Sequence, residues 1–222
     1  MNMQEVLDPK SWAERTFGTA QLHDQRRTRR TVTAASNLAE NPLGSLPTQM
    51  QSWKETKALY RLLGEPDVTF AALIQAHLQQ SREQANRSSV ALLVQDTTDI
   101  DLSHRHKISG VGQIGNERGR GFFVQTVLAV RPESRDILGC MAQEPFVRIP
   151  APEGEQRSQR RKRQERETDV WMRQVHAIGT AEPGSMWVHV GDRGADIFPF
   201  FHACQASRTH FLVRAAQNRR DR

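Results

Sequence analysis

Two short apolar runs each lead straight into an aspartate, and they constrain the fold more than any other feature of the chain. The first is Val90-Ala-Leu-Leu-Val-Gln-Asp96, followed by Thr97-Thr98. The second is Met186-Trp-Val-His-Val-Gly-Asp192, followed by Arg193-Gly194-Ala195-Asp196. Runs this short, bounded by turn residues, read as buried strands. The first is apolar on both sides, which predicts a central strand covered on both faces. If the second returns parallel and beside it, Asp96 and Asp192 emerge together at the carboxyl edge of a sheet, where open sheets hold their ligands. Two close carboxylates repel each other, and a divalent cation resolves that conflict. Oxygen donors favour a hard ion, so Mg²⁺ or Mn²⁺ is the expected cofactor. A pair of such ions roughly 3.5–4 Å apart activates a water and stabilises the leaving oxygen of a phosphodiester. A lone aspartate after a strand is more often a cap or turn former, and Asp99, Asp101 and Asp196 are read that way. Such a metal site ordinarily has a third acidic ligand, yet no glutamate follows Asp192. The chain alone is therefore expected not to complete the chemistry.

The texture of the sequence changes near residue 88. Before it, alanine, leucine and glutamine recur at helical spacing, with breaks at Asn41-Pro42-Leu-Gly44 and Gly64-Glu-Pro66. Asp24 can cap a helix running through Glu40. On that helix Arg26, Arg27 and Arg30 share a face, and Val32, Ala35 and Ala39 are expected to point the other way. Trp53, Leu59, Tyr60, Leu62 and Leu63 supply apolar anchors for the next helix. After residue 88 the pattern is β, with apolar runs at 90–94, 122–130 and 137–142 separated by turns. A charged stretch from Arg157 to Thr168 leads into a helix at Asp169-Val-Trp171-Met172. Strands near 186–191 and 210–214 follow, joined by a helix at about 194–206. The predicted class is α/β (α+β), with a helical domain at 1–87 and a mixed-sheet domain at 88–222.

The formal net charge is +6, carried by clustered arginine, which favours a polyanionic partner. No basic-then-apolar leader opens the sequence and no apolar run reaches membrane-spanning length, so a bacterial-type cytoplasmic protein without a membrane partner is expected. Cys140 and Cys204 lack metal spacing and read as reduced, buried thiols. Gly110-Val-Gly112-Gln-Ile-Gly115 fits a dinucleotide fingerprint, but no strand precedes it, and it reads as a flexible loop. His104 and His106 have no partner at metal spacing. His189 reads as a packed core histidine, and the Arg157–Arg166 run as a solvated helix face with an auxiliary DNA contact as the minority view.

An ordered set of further motifs accompanies the two aspartates. It comprises Trp12-Ala13 with Phe17, then Leu22-His-Asp24-Gln-Arg26-Arg27-Thr28-Arg-Arg30, Asp96-Thr97-Thr98, Arg105-His106 and Arg120-Gly121-Phe122-Phe123-Val124. Glu167 with Trp171, Asp192-Arg193-Gly-Ala195-Asp196 and Phe211-Leu-Val213-Arg214 complete it. In this the chain resembles the DDE transposases of bacterial cut-and-paste insertion sequences, the group that includes the Tn-five transposase. The resemblance spans nearly the whole chain but only the front portion of the family's length. It implies a small helical domain that binds transposon ends, then an RNase H-like catalytic domain truncated at its C-terminal side. Asp96 and Asp192 would match the first two catalytic, metal-holding acids. Arg26, Arg27 and Arg30 would match residues that grip the transposon end, and Arg214 a residue beside the DNA backbone at the active site. Implied partners are double-stranded transposon-end and target DNA, and a second copy in a homodimer. The implied chemistry is Mg²⁺-dependent nicking and strand transfer. The family's later tyrosine-arginine-glutamate-lysine segment, with its third acid, and its C-terminal dimerisation region are absent. Two competing functions remain open at this point: a non-catalytic DNA-binding product that occupies transposon ends, and a nuclease of the same fold.

Overall fold

The computed structural model describes residues 7–115, 118–148, 152, 154, 156, 166–216 and 218. Most of the charged run at 157–166, and Asp221 in the tail, lie outside the described residues. The chain divides into two compact units, Met1–Gln80 and Ser81–Arg222.

The first unit is helical, comprising α1 (Pro9–Phe17), α2 (Gln25–Glu40), α3 (Leu46–Gln49), α4 (Trp53–Leu63) and the start of α5 (Phe70–Asn86). α1, α2 and α4 begin where side chains satisfy orphan N–H groups of a first turn. Asp8 accepts from Lys10 and Ser11 N–H at 3.0 and 3.1 Å, Asp24 from Arg26 N–H at 2.8 Å, and Ser52 from Glu55 N–H at 3.2 Å. Ala34, Met50, Leu59, Leu62 and Val68 form the core, with Leu46 and Leu73 packed against it. The packing face of α2 differs from the expected one. Thr31, Ala34 and Ser36 are buried while Ala39 is exposed. Arg27 and Arg30 therefore flank the buried line instead of opposing it. On α4 only Thr56, Leu59 and Leu62 are buried, so Trp53, Tyr60 and Leu63 do not act as anchors.

The second unit contains β1 (Val90–Asp101), β2 (Gly112–Ile114), β3 (Gly119–Val130), β4 (Ile137–Phe146), α6 (Asp169–Ile178), β5 (Met186–Gly191), α7 (Phe198–Ala206) and β6 (His210–Val213). The six strands form one sheet in the order β2-β3-β1-β5-β6, with β4 also on β3. β1 to β4 pair antiparallel, whereas β5 is parallel to β1 and β6 parallel to β5. Among the described residues the architecture is thus α+β, with seven α-helices and a mixed six-stranded sheet that follows the helical region.

Three local expectations change. Gly112–Ile114 is a strand, not a flexible loop, because it pairs with Gly119–Gly121. β1 runs past Asp96 to Asp101, because its pairing with β3 continues to Asp101↔Gly121 after that with β5 ends at Val94↔Val190. The helix expected at 194–206 is instead a 3-10 turn at Arg193–Ala195 followed by α7, which starts only at Phe198, where Pro199 suits a first turn.

Burial alternates cleanly along the central strands. Ala91, Leu93 and Gln95 are buried, as are Gln125, Val127 and Ala129, whereas Leu92, Leu128 and Val130 are half-buried and Val94 is 37% exposed. β1 is therefore fully covered on one face only, in contrast to the two-sided cover that its apolar run predicts. The buried face carries two clusters. One joins Ala85, Leu93, Val127, Ile178 and Trp187, and the other joins Val170, Trp171, Val175, Phe200 and Cys204 across α6 and α7. Neither cysteine forms a disulfide among the described residues, and burial raises both thiols, Cys204 to about 11. Where β4 ends, Arg148 donates two hydrogen bonds to Glu167, at 2.7 and 2.9 Å, just ahead of α6. Its guanidinium lies 4.7 Å from the Phe123 ring centroid, and Phe123 stacks on Phe146.

Candidate functional site

The sheet register brings the predicted acids to one level. The parallel ladder of β1 and β5 runs from Val90↔Met186 to Val94↔Val190. Carried two residues further, it sets Asp96 level with Asp192. The ladder of β5 and β6 ends at Gly191↔Val213, and Arg214 N–H still donates to Gly191 O at 3.2 Å. One step beyond, Arg214 is level with Asp192. On the other side of β1, Asp96 pairs with Thr126 and Thr126 with Gln143. A single cross-strand row therefore reads Gln143, Thr126, Asp96, Asp192, Arg214. By strand alternation it belongs to the less buried face, opposite Gln95 and His189.

Both acids are exposed, and each carboxylate is engaged locally at one oxygen. Thr97 N–H donates to Asp96 Oδ1 at 2.9 Å, and Gly194 N–H to Asp192 Oδ1 at 2.7 Å. Asp192 is thus also the cap of the 3-10 turn, so the bland role of a strand-end aspartate is present in the structure as well. Neither acid has an ion pair among the described residues. Trp171 shapes the Asp192 turn from below. A Cβ on Gly191 would fall 2.6 Å from the Ala195 methyl and 3.1 Å from the Trp171 ring, and one on Gly194 would fall 3.2 Å from Trp171 Nε1. Side chains at those positions would push the turn, and Asp192 with it, off the indole.

Two exposed, level carboxylates are a donor set suited to a hard divalent cation. Among the described residues, no group of three or more His, Cys, Asp or Glu is arranged to hold a metal ion. Asp101 is a turn former, accepting from Ser103 N–H at 2.8 Å, and Asp196 is buried and accepts from Ala216 N–H at 2.7 Å. His189 is fully buried, and desolvation lowers it to about 4, so it is a neutral core histidine.

In the helical unit the three arginines have separate fates. Arg26 is 86% exposed and bonded to its own helix cap, Asp24, whose carboxyl is held low by that contact. Arg27 pairs with Glu65, and with Asp67 at 3.5 Å, while Arg30 pairs with Glu55. With side chains only 24% and 32% exposed, Arg27 and Arg30 join α2 to α4 and to the turn after it. A further surface went unnoticed in the sequence. The outward face of α4, opposite Thr56, Leu59 and Leu62, holds Trp53, Lys54, Lys57, Tyr60 and Arg61, all exposed. Lys57 Nζ lies 5.2 Å from the centroid of the Trp53 ring, and Trp53 and Tyr60 are 66% and 54% exposed. The signal was in the spacing: positions 53, 57 and 60 form one stripe on a helix. No carboxylate shares it, because Glu55 is turned to Arg30.

No helix among the described residues is long and apolar enough to cross a membrane. Residues 9–68, which span α1 to α4 and the turn after α4, match the family model described as Transposase DNA-binding, and this match supports a transposase or DNA-binding role with DNA as the partner.

Proposed function

We propose that the chain is the DNA-binding and partial catalytic portion of a DDE transposase, using a helical domain at about 1–87 to hold transposon ends and an RNase H-like sheet at 88–222 to carry the acids. The observation that carries this reading is the transposase DNA-binding match at residues 9–68. Supporting it, in the same helices, are an exposed Arg26 and the carboxylate-free stripe on α4. Lysine and arginine there neutralise phosphates, and Trp53 and Tyr60 offer flat faces to sugar and base edges. Arg27 and Arg30 reach phosphate only by leaving Glu65, Asp67 and Glu55.

In the sheet unit, Asp96 and Asp192 would hold Mg²⁺ or Mn²⁺ through the carboxylate oxygens not used in backbone bonds. The chemistry such an ion would supply there is Lewis acidity toward the attacking water and the leaving phosphate oxygen. Arg214, level with Asp192 and exposed, would steady the DNA backbone beside the acids. Transposon-end and target DNA, and a second copy of the chain, are the partners this reading requires.

Binding of duplex DNA across a salt series tests the first half. Each phosphate neutralised contributes about 0.9 to the slope of log K against log salt. Replacing Lys54, Lys57 and Arg61 by glutamine should lower that slope by up to about three contacts' worth. An unchanged slope rejects the α4 surface. A second reading, a DNA-binding product without cleavage activity, is favoured by the capping role of Asp192, whose Oδ1 accepts from Gly194 N–H at 2.7 Å. Nicking of end DNA by the purified chain in Mn²⁺, lost on Asp96→Ala, would exclude it.

A further inference from the structure

We propose that a chain of four neutral side chains, the part-buried Thr97 and the buried Gln125, Gln95 and His189, is the positioning device that sets Asp96 level with Asp192. The proposal rests on the metal-site reading above. The Thr97 hydroxyl donates to Gln125 Oε1, Gln125 Nε2 donates to Gln95 Oε1 at 3.5 Å, and Gln95 Nε2 donates to His189 Nδ1 at 3.0 Å. The polarity runs one way, from hydroxyl to amide to amide to ring. It requires a neutral imidazole, in line with the desolvation that lowers the His189 pKa, with its proton on Nε2, a buried atom that makes no hydrogen bond among the described residues.

The placement of the chain carries the inference. Its members lie on β1, β3 and β5, the strands that bear Thr126, Asp96 and Asp192. Gln95 and Thr97 flank Asp96, Gln125 precedes Thr126, His189 lies three residues before Asp192, and all four have the strand phase opposite to the row, on the more buried face. Gln95, Gln125 and His189 are 3%, 0% and 0% exposed. The backbone ladder between β1 and β5 stops at Val94↔Val190, before the acids are reached. The bond from Gln95 to His189 crosses between these strands at that point. A one-residue slip would turn Val94 or Asp96 inward in place of Gln95, exchanging the two faces of the strand and breaking the polar chain together. Each buried polar group so orphaned carries a desolvation penalty. An all-apolar set would fix only which face is buried and leave two-residue slips open, whereas hydrogen-bonded partners also fix the position along the strand.

Cross-linking reads the level of the two acids without any metal. Asp96→Cys and Asp192→Cys are introduced together, since neighbouring strands about 4.8 Å apart bring Cα atoms within disulfide range. Linking under mild oxidant is then timed in the full chain with Thr97 unchanged, Thr97→Val, Thr97→Ser and Gln95→Leu. The expected result is linking slowed about tenfold by Thr97→Val and Gln95→Leu and restored by Thr97→Ser, with thermal midpoints within a few degrees. Equal rates in all four, or no linking in the parent, overturn the proposal. Mn²⁺ binding, followed by electron paramagnetic resonance with both aspartates intact, separates the two claims. If Mn²⁺ does not bind but linking follows the polar chain, the metal reading fails and the positioning role stands. If Mn²⁺ binds equally to the Thr97→Val and Thr97→Ser chains and linking is also unaffected, the positioning role fails and the metal reading stands.

Discussion

The α2–α4 region of the helical unit and the acid row of the sheet unit dispose of their charges in opposite ways. Around α2 and α4, full charges go partly inside and each finds a counter-charge: Arg27 meets Glu65 and Asp67, and Arg30 meets Glu55. Beside the acid row of the sheet the inward groups are neutral, namely Gln95, Gln125 and His189, while the carboxylates at 96 and 192 stay exposed without counter-ions among the described residues. Burying an unpaired charge costs far more than burying a hydrogen-bonded neutral group. The difference teaches which charges are already spoken for by the fold and which remain disposed toward a ligand.

Acid gives the sharpest test of the neutral interior. His189 titrates near 6.5 when unfolded and near 4 when folded, because burial disfavours its cation. The unfolded chain therefore binds the extra proton first. The histidine's contribution is whole above pH 6.5, falls as pH drops toward 4, and changes no further below that. The full loss corresponds to about 3 kcal/mol. Denaturant midpoints followed from pH 7 to pH 4 should show it, and His189→Leu should flatten that part of the profile. An identical slope in the variant would place the acid sensitivity elsewhere.

A smaller effect is expected from the paired charges. Arg30→Ala leaves Glu55 partly buried without its partner and should cost about 1–3 kcal/mol, below a fully buried case because both groups keep some water. Adding Glu55→Leu to that variant should recover much of the loss. If Arg30→Ala melts like the parent, the pair is ordinary surface and the contrast between the units collapses.

The open acids should show the smallest effect on stability. Asp96→Asn and Asp192→Asn each keep an acceptor oxygen for Thr97 or Gly194 N–H and remove like-charge repulsion, so melting should move by no more than about 0.5 kcal/mol in either direction. The same substitutions should abolish Mn²⁺ binding, measured by calorimetry. Strong destabilisation with intact Mn²⁺ binding would make these aspartates caps and nothing more.

How much of this was legible in the sequence follows the range of each interaction. The Asp24 cap, the helix breaks at 41–44 and 64–66, and the order of strands are written locally, in caps, turns and apolar period. The level placement of Asp96 and Asp192 needed one conditional, that the second run returns parallel and adjacent, and the β1–β5 ladder meets it. The misses are long-range. Gln113 gives no hint that its segment will pair with β3, and nothing near Arg30 announces Glu55. Gln95 reads as a polar residue closing an apolar run, because its acceptor is His189, 94 residues away. Leu92 and Val94 looked like residues of a strand covered twice, yet one-letter hydrophobicity does not say how many layers the sheet receives.

The clasp between Arg148 and Glu167 has a bearing on engineering. It joins the exit of β4 to the entry of α6 with two charge-assisted bonds and a ring contact, so those two points are held together by their own chemistry. Substitution at either 148 or 167 would lose both charge-assisted bonds at once. A label or tag is therefore best kept off these two positions, and off the tight Gly191–Gly194 turn, where an added side chain would dislodge Asp192.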